Sequence, residues 1–363
     1  MTLTEGAANM RISYEEELNL VKGILLAADF PEEDAALIAE VIRHSDFTGV
    51  SSHGLSRLTR YMRQIKAGSL NPRPNFHKVL DTGAIMVFDG DNGSGIASLC
   101  KAYRETLTRA RQYGIAMSTG RRNANIGCGS YYGWRAAADD MVAIVCCNTY
   151  AFTSPFGGAD RLIGTNPIII GVPAGQAYPM VLDISTTNVA MGKIQAAERE
   201  GLAIPPEWAK DYDGNPTTDP SKAFSLSPLA RHKGYGLAVM VDVLSTMFSG
   251  ACFGTDIGLF SGLEKENTGF CLIMIDPSRF MPLEDFKAEV DRYAAMMKES
   301  RKAPGVSEIF LPGEIEFRKM KAMKETGFEV SEKLACELAE LSVTLGAVEA
   351  GSDFPSLVRH FNR

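Results

Sequence analysis

Six short apolar runs limit what this chain can fold into. They are AIMVFDG (84–90), IAMS (115–118), MVAIVCC (141–147), PIIIGV (167–172), MVLDI (180–184) and FCLIMID (270–276). Each has the length of a strand, and segments patterned at helical spacing lie between them. Residues 12–46 carry Leu18, Val21, Leu25 and Leu26 at that spacing, with a break at Pro31. A second helix is predicted from about Ser52 to Ala67, stopped by Gly68 with Pro72 and Pro74 beyond. Further helices are predicted over 95–114, 131–139, 189–201 and 233–250, and two or three amphipathic ones close the chain. Strands and helices mixed throughout define an α/β protein. No apolar run reaches the ~18–20 residues a bilayer requires, so no membrane span is expected. The most apolar stretch, Gly236 to Met247, is interrupted by Asp242.

Charge and cysteine usage narrow the function. Lys and Arg number 37 against 44 Asp and Glu, a net charge of −7, which argues against nucleic acid as a partner. The seven cysteines, at 100, 128, 146, 147, 252, 271 and 336, form no CxxC pair and no zinc-spaced cluster, so no metal site is expected. An odd count with adjacent Cys146 and Cys147 suits a reducing, cytoplasmic compartment. The first residues lack the basic start and apolar core of a secretory signal. Chemistry is expected in the long loops, 148–167 above all.

The segment SSHGLSRLTRY (51–61) has two faces if read as one helix. At about 100° per residue, Leu55, Leu58, Met62 and Ile65 share a core face, while His53, Arg57 and Tyr61 form a stripe beside it. That stripe joins an imidazole that titrates near neutral pH to a guanidinium suited to grip a carboxylate. A solvated helix face would carry the same residues, and spacing alone leaves both readings open. A second segment, Gly127-Cys-Gly129-Ser-Tyr-Tyr-Gly133, invites comparison with a Rossmann phosphate loop. Its glycines come nine or more residues after the preceding strand, and the next strand ends in Asn148 rather than an acid, so a Rossmann domain is disfavoured.

Five ordered segments together resemble the malate/L-lactate dehydrogenase family with a non-Rossmann nucleotide-binding fold. They are SSHGLSRLTRY (51–61), GGADRLIGTNP (157–167), LDISTTNVAMGKI (182–194), DGNPTTDP (213–220) and HKGYGLAVMVDVLS (232–245), with a late PGE at 312–314. The resemblance spans roughly residues 12–330. It implies an α/β chain whose NAD(P)-binding domain is built on a large mixed sheet, with helical N- and C-terminal parts. The expected division is 1–80 (helical, packed with the C-terminal helices), 81–275 (cofactor-binding) and 276–363 (helical). The implied reaction moves a hydride between NADH or NADPH and a small 2-oxo or 2-hydroxy carboxylic acid, or a cyclic imino acid, in a homodimer.

Carried over residue by residue, the resemblance places Ser52, His53, Arg57 and Tyr61 in the substrate pocket. Asp183 becomes the acid beside the nicotinamide, able to orient His53 and raise its pKa. Ile184 and Ser185 offer backbone groups to the cofactor. Lys233 and Thr149 match cofactor-touching positions, although a lysine at a helix start is often merely solvated. Thr165 and Asn166 sit in GTNP, where turn chemistry is an equal explanation. One departure stands out. The family's second histidine, before the tyrosine pair, is replaced here by Asn125, which donates hydrogen bonds but supplies no proton. The favoured consequence is that His53, oriented by Asp183, gives the proton while Asn125 binds substrate. The alternatives are an imino-acid reductase, which needs less acid assistance, and a nucleotide-binding protein without catalysis.

Overall fold

A computed structural model describes residues 10–176, 178–258 and 263–362. Strand β1 (Met10–Ile12) leads into α1 (Tyr14–Ala27), whose start is fixed by a reciprocal cap between Ser13 and Glu16. Pro31 separates it from α2 (Glu32–Phe47). The predicted helix over 52–67 is not continuous. Two single 3₁₀ turns, Ser51–His53 and Leu55–Arg57, meet at Gly54 before α3 (Leu58–Lys66) begins. Gly54 breaks the helix because its backbone is extended there (φ −93°, ψ −146°).

The central part follows as β2 (His77–Asp81), β3 (Ile85–Gly93), α4 (Gly95–Tyr113), β4 (Ile115–Asn123), α5 (Ser130–Ala138), β5 (Val142–Cys147), β6 (Ile168–Val172) and β7 (Met180–Ile184). Then come α6 (Met191–Glu200), the short strands β8 (Ala209–Lys210), β9 (Pro216–Thr217) and β10 (Ser225–Leu226), and α7 (His232–Asp242). A wider turn at Val243–Met247 prolongs α7. The chain ends with β11 (Thr268–Ile275), α8 (Leu283–Lys298), α9 (Glu314–Thr326), β12 (Phe328–Val330), α10 (Glu332–Thr344) and α11 (Phe354–Phe361).

Seven strands form one mixed sheet in the order β2-β3-β4-β11-β5-β6-β7, in which only β3 and β4 run parallel. Strand β11, late in the chain, lies between β4 and β5. Side chains alternate across it: Phe270, Leu272 and Met274 join the main core, whereas Cys271 meets Cys146 and Val241 on the face covered by α7. Burial on both faces accounts for the unbroken apolar runs of β5 and β11. Helix α5 lies so close to β6 that a methyl group on Gly171 would sit 2.2 Å from the Gly133 carbonyl oxygen. The last glycine of the 127–133 segment therefore serves helix–sheet packing.

The two ends of the chain meet. β1 pairs with β12 in antiparallel register (Met10 opposite Val330), and the Phe361 ring fills the space over Gly23 of α1. This places α1, α2 and the Ser51–Lys66 segment against the C-terminal helices, beside one edge of the central sheet's helical layer.

Candidate active site

The site is built around the last turn of α2. His44, Ser45 and Asp46 are all buried there, and each reaches a different segment of the chain. His44 Nε2 lies 3.1 Å from Ser130 Oγ at the start of α5. Ser45 contacts the Cys128 thiol. Asp46 Oδ2 accepts the Leu55 amide at 2.7 Å, immediately after the SHG turn. A buried carboxylate requires such donors, and this one anchors the loop that presents His53.

His53 Nδ1 is 3.0 Å from Ser52 Oγ. Arg57 donates from Nε to the Ser52 carbonyl at 2.6 Å, while its two terminal nitrogens have no partner among the described residues. Tyr61 is buried, and its hydroxyl also has no partner among the described residues. His53 and Arg57 keep some solvent-accessible surface although protein surrounds them on most sides. Burial, aided by the neighbouring Arg57 charge, pushes the His53 pKa down to about 3. Burial likewise lowers Arg57 from its ordinary value and lifts Tyr61 to about 12. Despite the broken helix, the three side chains stay close enough for their charges to interact.

One turn further, sequence reasoning missed a buried cluster. Arg60 donates to the Tyr150 hydroxyl and to Glu266 Oε1 (3.1 Å), and Gln64 Nε2 donates to the same Glu266 oxygen at 2.7 Å. This ties α3 to the 148–167 loop and so brings the His53 segment toward Thr149. An Arg at the third position after Arg57, on a helix whose other face is apolar, was the available signal. Its partner lies 206 residues away, beyond any local pattern.

Thr149, Thr165 and Asn166 form an interlocked turn. Thr149 Oγ1 accepts the Thr165 amide at 2.8 Å, and Asn166 Oδ1 accepts the Thr149 amide at 3.1 Å. Asn166 Nδ2 donates to Ala238 O at 2.9 Å, so both ends of its amide are engaged in fastening this loop to α7. Asn148 holds the loop's other end through Cys252 O and the Gly269 amide, both at 2.8 Å.

Asp183 ends β7 with its Oδ2 accepting the Ser130 amide at 2.7 Å, at the N-terminus of α5. The expected pairing with His53 is not what this chain forms: His53 pairs with Ser52, and its pKa falls rather than rises. The α2 end lies between them, taking Ser130 on one side and Leu55 on the other. Burial pushes Asp183 up to about 6, with Glu316 adding to the rise and the Ser130 amide opposing it. The edge strand carrying Asp183 is held by the PGE segment, whose Pro312 carbonyl accepts the Val181 amide at 3.0 Å. Asn125 spends its Oδ1 on the Gly127 amide at 2.7 Å, a local turn. The histidine nearest that segment is His44, buried beneath it and pushed down to about 3 by burial, so it is neutral and no acid.

A nicotinamide dinucleotide fits what lies beyond Asp183. Ser185 hydrogen-bonds Thr187 at 3.1 Å, leaving the Ile184–Ser185 backbone at the strand end. The segments preceding α6 and α7 are bonded to each other (Leu229 amide to Thr186 O, 2.9 Å), so the two helix starts are neighbours. There Gly192 and Gly236 face open space, and exposed Lys193 and Lys233 form no ion pair among the described residues. Unpaired lysines and helix N-termini suit a pyrophosphate.

Comparison with known proteins gives the class. The malate/L-lactate dehydrogenase profile matches residues 12–339. L-sulfolactate dehydrogenase of Methanocaldococcus jannaschii is 37% identical over 340 residues, covering 93% of this chain and 98% of the relative. A solved structure of sulfolactate dehydrogenase from Methanocaldococcus jannaschii superposes with a TM-score of 0.87 at 37% identity, over 93% of this chain and 98% of that one. The NAD(+)-dependent ureidoglycolate dehydrogenase of Escherichia coli K12 is 32% identical over 324 residues, 88% of this chain and 93% of the relative. The δ1-piperideine-2-carboxylate reductase of Pseudomonas syringae superposes with a TM-score of 0.82 at 26% identity, over 92% of this chain and 99% of that one. The fold and the matches define an NAD(P)-dependent oxidoreductase. The chain belongs to the malate/L-lactate dehydrogenase family and transfers a hydride between the nicotinamide and a small 2-hydroxy or 2-oxo carboxylic acid.

Proposed function

We propose that Arg57 receives the substrate carboxylate on its two terminal nitrogens, that Tyr61 meets a second polar group of the substrate, and that His53 exchanges the proton at the 2-oxygen. The observation that carries this reading is that the two terminal nitrogens of Arg57 and the buried Tyr61 hydroxyl have no partner among the described residues. Burial lowers the Arg57 pKa even with the Glu266 carboxylate nearby, so a ligand carboxylate on its two terminal nitrogens would offset that desolvation. When bound, the nicotinamide supplies or accepts the hydride at C2. His53 is neutral at neutral pH, so it is ready as a base toward a hydroxy acid. In the reducing direction the carboxylate offsets the Arg57 charge and restores basicity to the imidazole. Asp183, fixed on Ser130, orients the strand end against the cofactor rather than the imidazole. Thr149, Ile184, Ser185 and Lys233 are assigned to the cofactor, and Asn125 to the substrate side.

A second reading, reduction of a cyclic imino acid, is favoured by the same neutral His53. A protonated imine brings its own proton and needs no acid. Free thiols at all seven cysteines support a reducing compartment. An apolar stripe on α7 and its extension, with Leu237, Met240, Met247 and Phe248 exposed, supports a homodimer.

The test is cofactor oxidation with NADH and NADPH against pyruvate, oxaloacetate, sulfopyruvate and piperideine-2-carboxylate. Turnover of a keto acid supports the first reading. Turnover restricted to the imine moves the assignment to the second, and no turnover of any carboxylate refutes both.

A further inference from the structure

Beneath the SHG turn, two acidic side chains meet with no base between them. Glu17, in the first turn of α1, is completely buried, and among the described residues neither of its carboxyl oxygens receives a hydrogen bond from an N–H or O–H donor. It faces the carboxyl group of Asp46, equally buried on the last turn of α2. Asp46 in turn accepts the Leu55 amide at 2.7 Å and presses on Gly54, where a methyl group would lie 1.9 Å from Oδ1. Two carboxylates in contact in a dry interior cannot both be ionised. Glu17 lacks donors and Asp46 has one, so the proton belongs to Glu17, and its O–H donates to the Asp46 carboxylate.

We propose that Glu17 and Asp46 are positioning residues for this active site, a carboxyl pair sharing one proton that clamps Gly54 and Leu55 and so sets where His53 and Arg57 stand. The proposal rests on the His53–Arg57 reading above. Gly54 is the joint of the loop: its amide bonds the Ser51 carbonyl (3.3 Å) and its carbonyl accepts the Arg57 amide (2.9 Å). Moving Gly54 therefore moves both side chains, and a displacement of about 1 Å at a reacting group can cost roughly 10²-fold in rate. The cation facing the pair is Arg43, on α2 itself. It is spread over the Tyr14 ring (3.7 Å) and reaches Glu15 at 3.3 Å, and it only moderates the rise of Glu17. Burial holds the Glu17 proton well above the carboxyl range and lifts Asp46 to about 7. Loss of the shared proton as pH rises leaves two facing anions, which release the loop.

Four variants and two readouts test this. Glu17→Leu removes the donor and should lower kcat/KM for the carboxylate substrate about tenfold or more, with cofactor Kd unchanged. Glu17→Gln, whose amide N–H can replace the O–H, should recover most of that loss and remove the alkaline fall in kcat/KM. Asp46→Ala should lose as much as Glu17→Leu. The second readout is the Leu55 amide proton by NMR. It should resonate downfield in the parent, shift as the pair titrates above neutral pH, lose that pH dependence in Glu17→Gln, and move upfield in Asp46→Asn. A Leu55 resonance indifferent to pH and to both conservative variants overturns the proposal, as do unchanged kinetics in folded Glu17→Leu and Asp46→Ala. If the parent turns over no carboxylate while the Leu55 resonance behaves as expected, the clamp stands and only the functional reading fails.

Discussion

Replacing Arg57 with Met gives a prediction with two signatures. The guanidinium has one nitrogen tied to Ser52 O and two others without partners among the described residues. If those two grip the carboxylate, each charge-assisted hydrogen bond contributes about 1.5–3 kcal/mol. Their combined loss of about 3–6 kcal/mol corresponds to roughly 10²–10⁴ in kcat/KM. Arg57→Lys keeps the charge without the fork and should lose less, about 10–10²-fold. The second signature concerns His53. Arg57 is the charge that adds to burial in holding its pKa near 3, so Arg57→Met must raise that pKa. The acid limb of kcat/KM for hydroxy-acid oxidation, which reports the free enzyme's base, then moves to higher pH. The assay is steady-state oxidation from pH 4 to 9 with a substrate that the panel identifies, with melting curves as a control for folding. A folded Arg57→Met variant within about threefold of the parent, with an unmoved acid limb, would remove Arg57 from the carboxylate site.

Three further outcomes are expected. Breaking the buried Arg60–Glu266 pair with Glu266→Gln should cost about 3–5 kcal/mol in melting experiments and weaken cofactor binding, because Tyr150 adjoins Thr149. Replacing both partners with apolar residues should recover much of the stability but not the affinity. His44 is buried and neutral with a pKa of about 3 against about 6.5 unfolded, so its contribution is full above pH 6.5 and is lost as pH falls toward 3. Between pH 6.5 and 5 that amounts to about 2 kcal/mol, and His44→Gln should flatten the loss in urea titrations at the two pH values. Gly171→Ala would press a methyl group against the Gly133 carbonyl and should lower stability by about 2–3 kcal/mol, seen as a drop in Tm. An unchanged Tm would mean that α5 can lift from β6 without penalty.

Strands such as β5 and β11 were readable because each is an apolar run buried on both faces, whereas exposed β2 carries no such run; the helices were readable because caps such as Gly114 and Gly201 are local. The order of strands was not readable, since nothing near residues 268–275 reveals that they pair between β4 and β5. The His53–Arg57–Tyr61 stripe was read by assuming a continuous helix, which is wrong at Gly54. The contact that breaks it comes from Asp46, eight residues earlier and on another helix. His53, Arg57 and Tyr61 still gather because the two 3₁₀ turns preserve their rough direction. Asp183 was correctly placed at a strand end but wrongly paired, because a sequence names no partner for a carboxylate. Glu17, His44, Arg60 and Glu266 escaped notice for the same reason. Each looks like an ordinary charged or polar helix or loop residue until the fold buries it.

The central position of β11 also has a consequence for biosynthesis. The strands on either side of it are complete about 120 residues before it is made, and at roughly 5–20 residues per second the gap lasts about 6–24 s. During that interval β4 and β5 each present an unpaired apolar edge to whatever is near, the situation in which strands pair wrongly or aggregate. A nascent chain of this kind gains little by folding early. Its yield should depend more on what shields those two edges during synthesis than on the stability of the finished sheet.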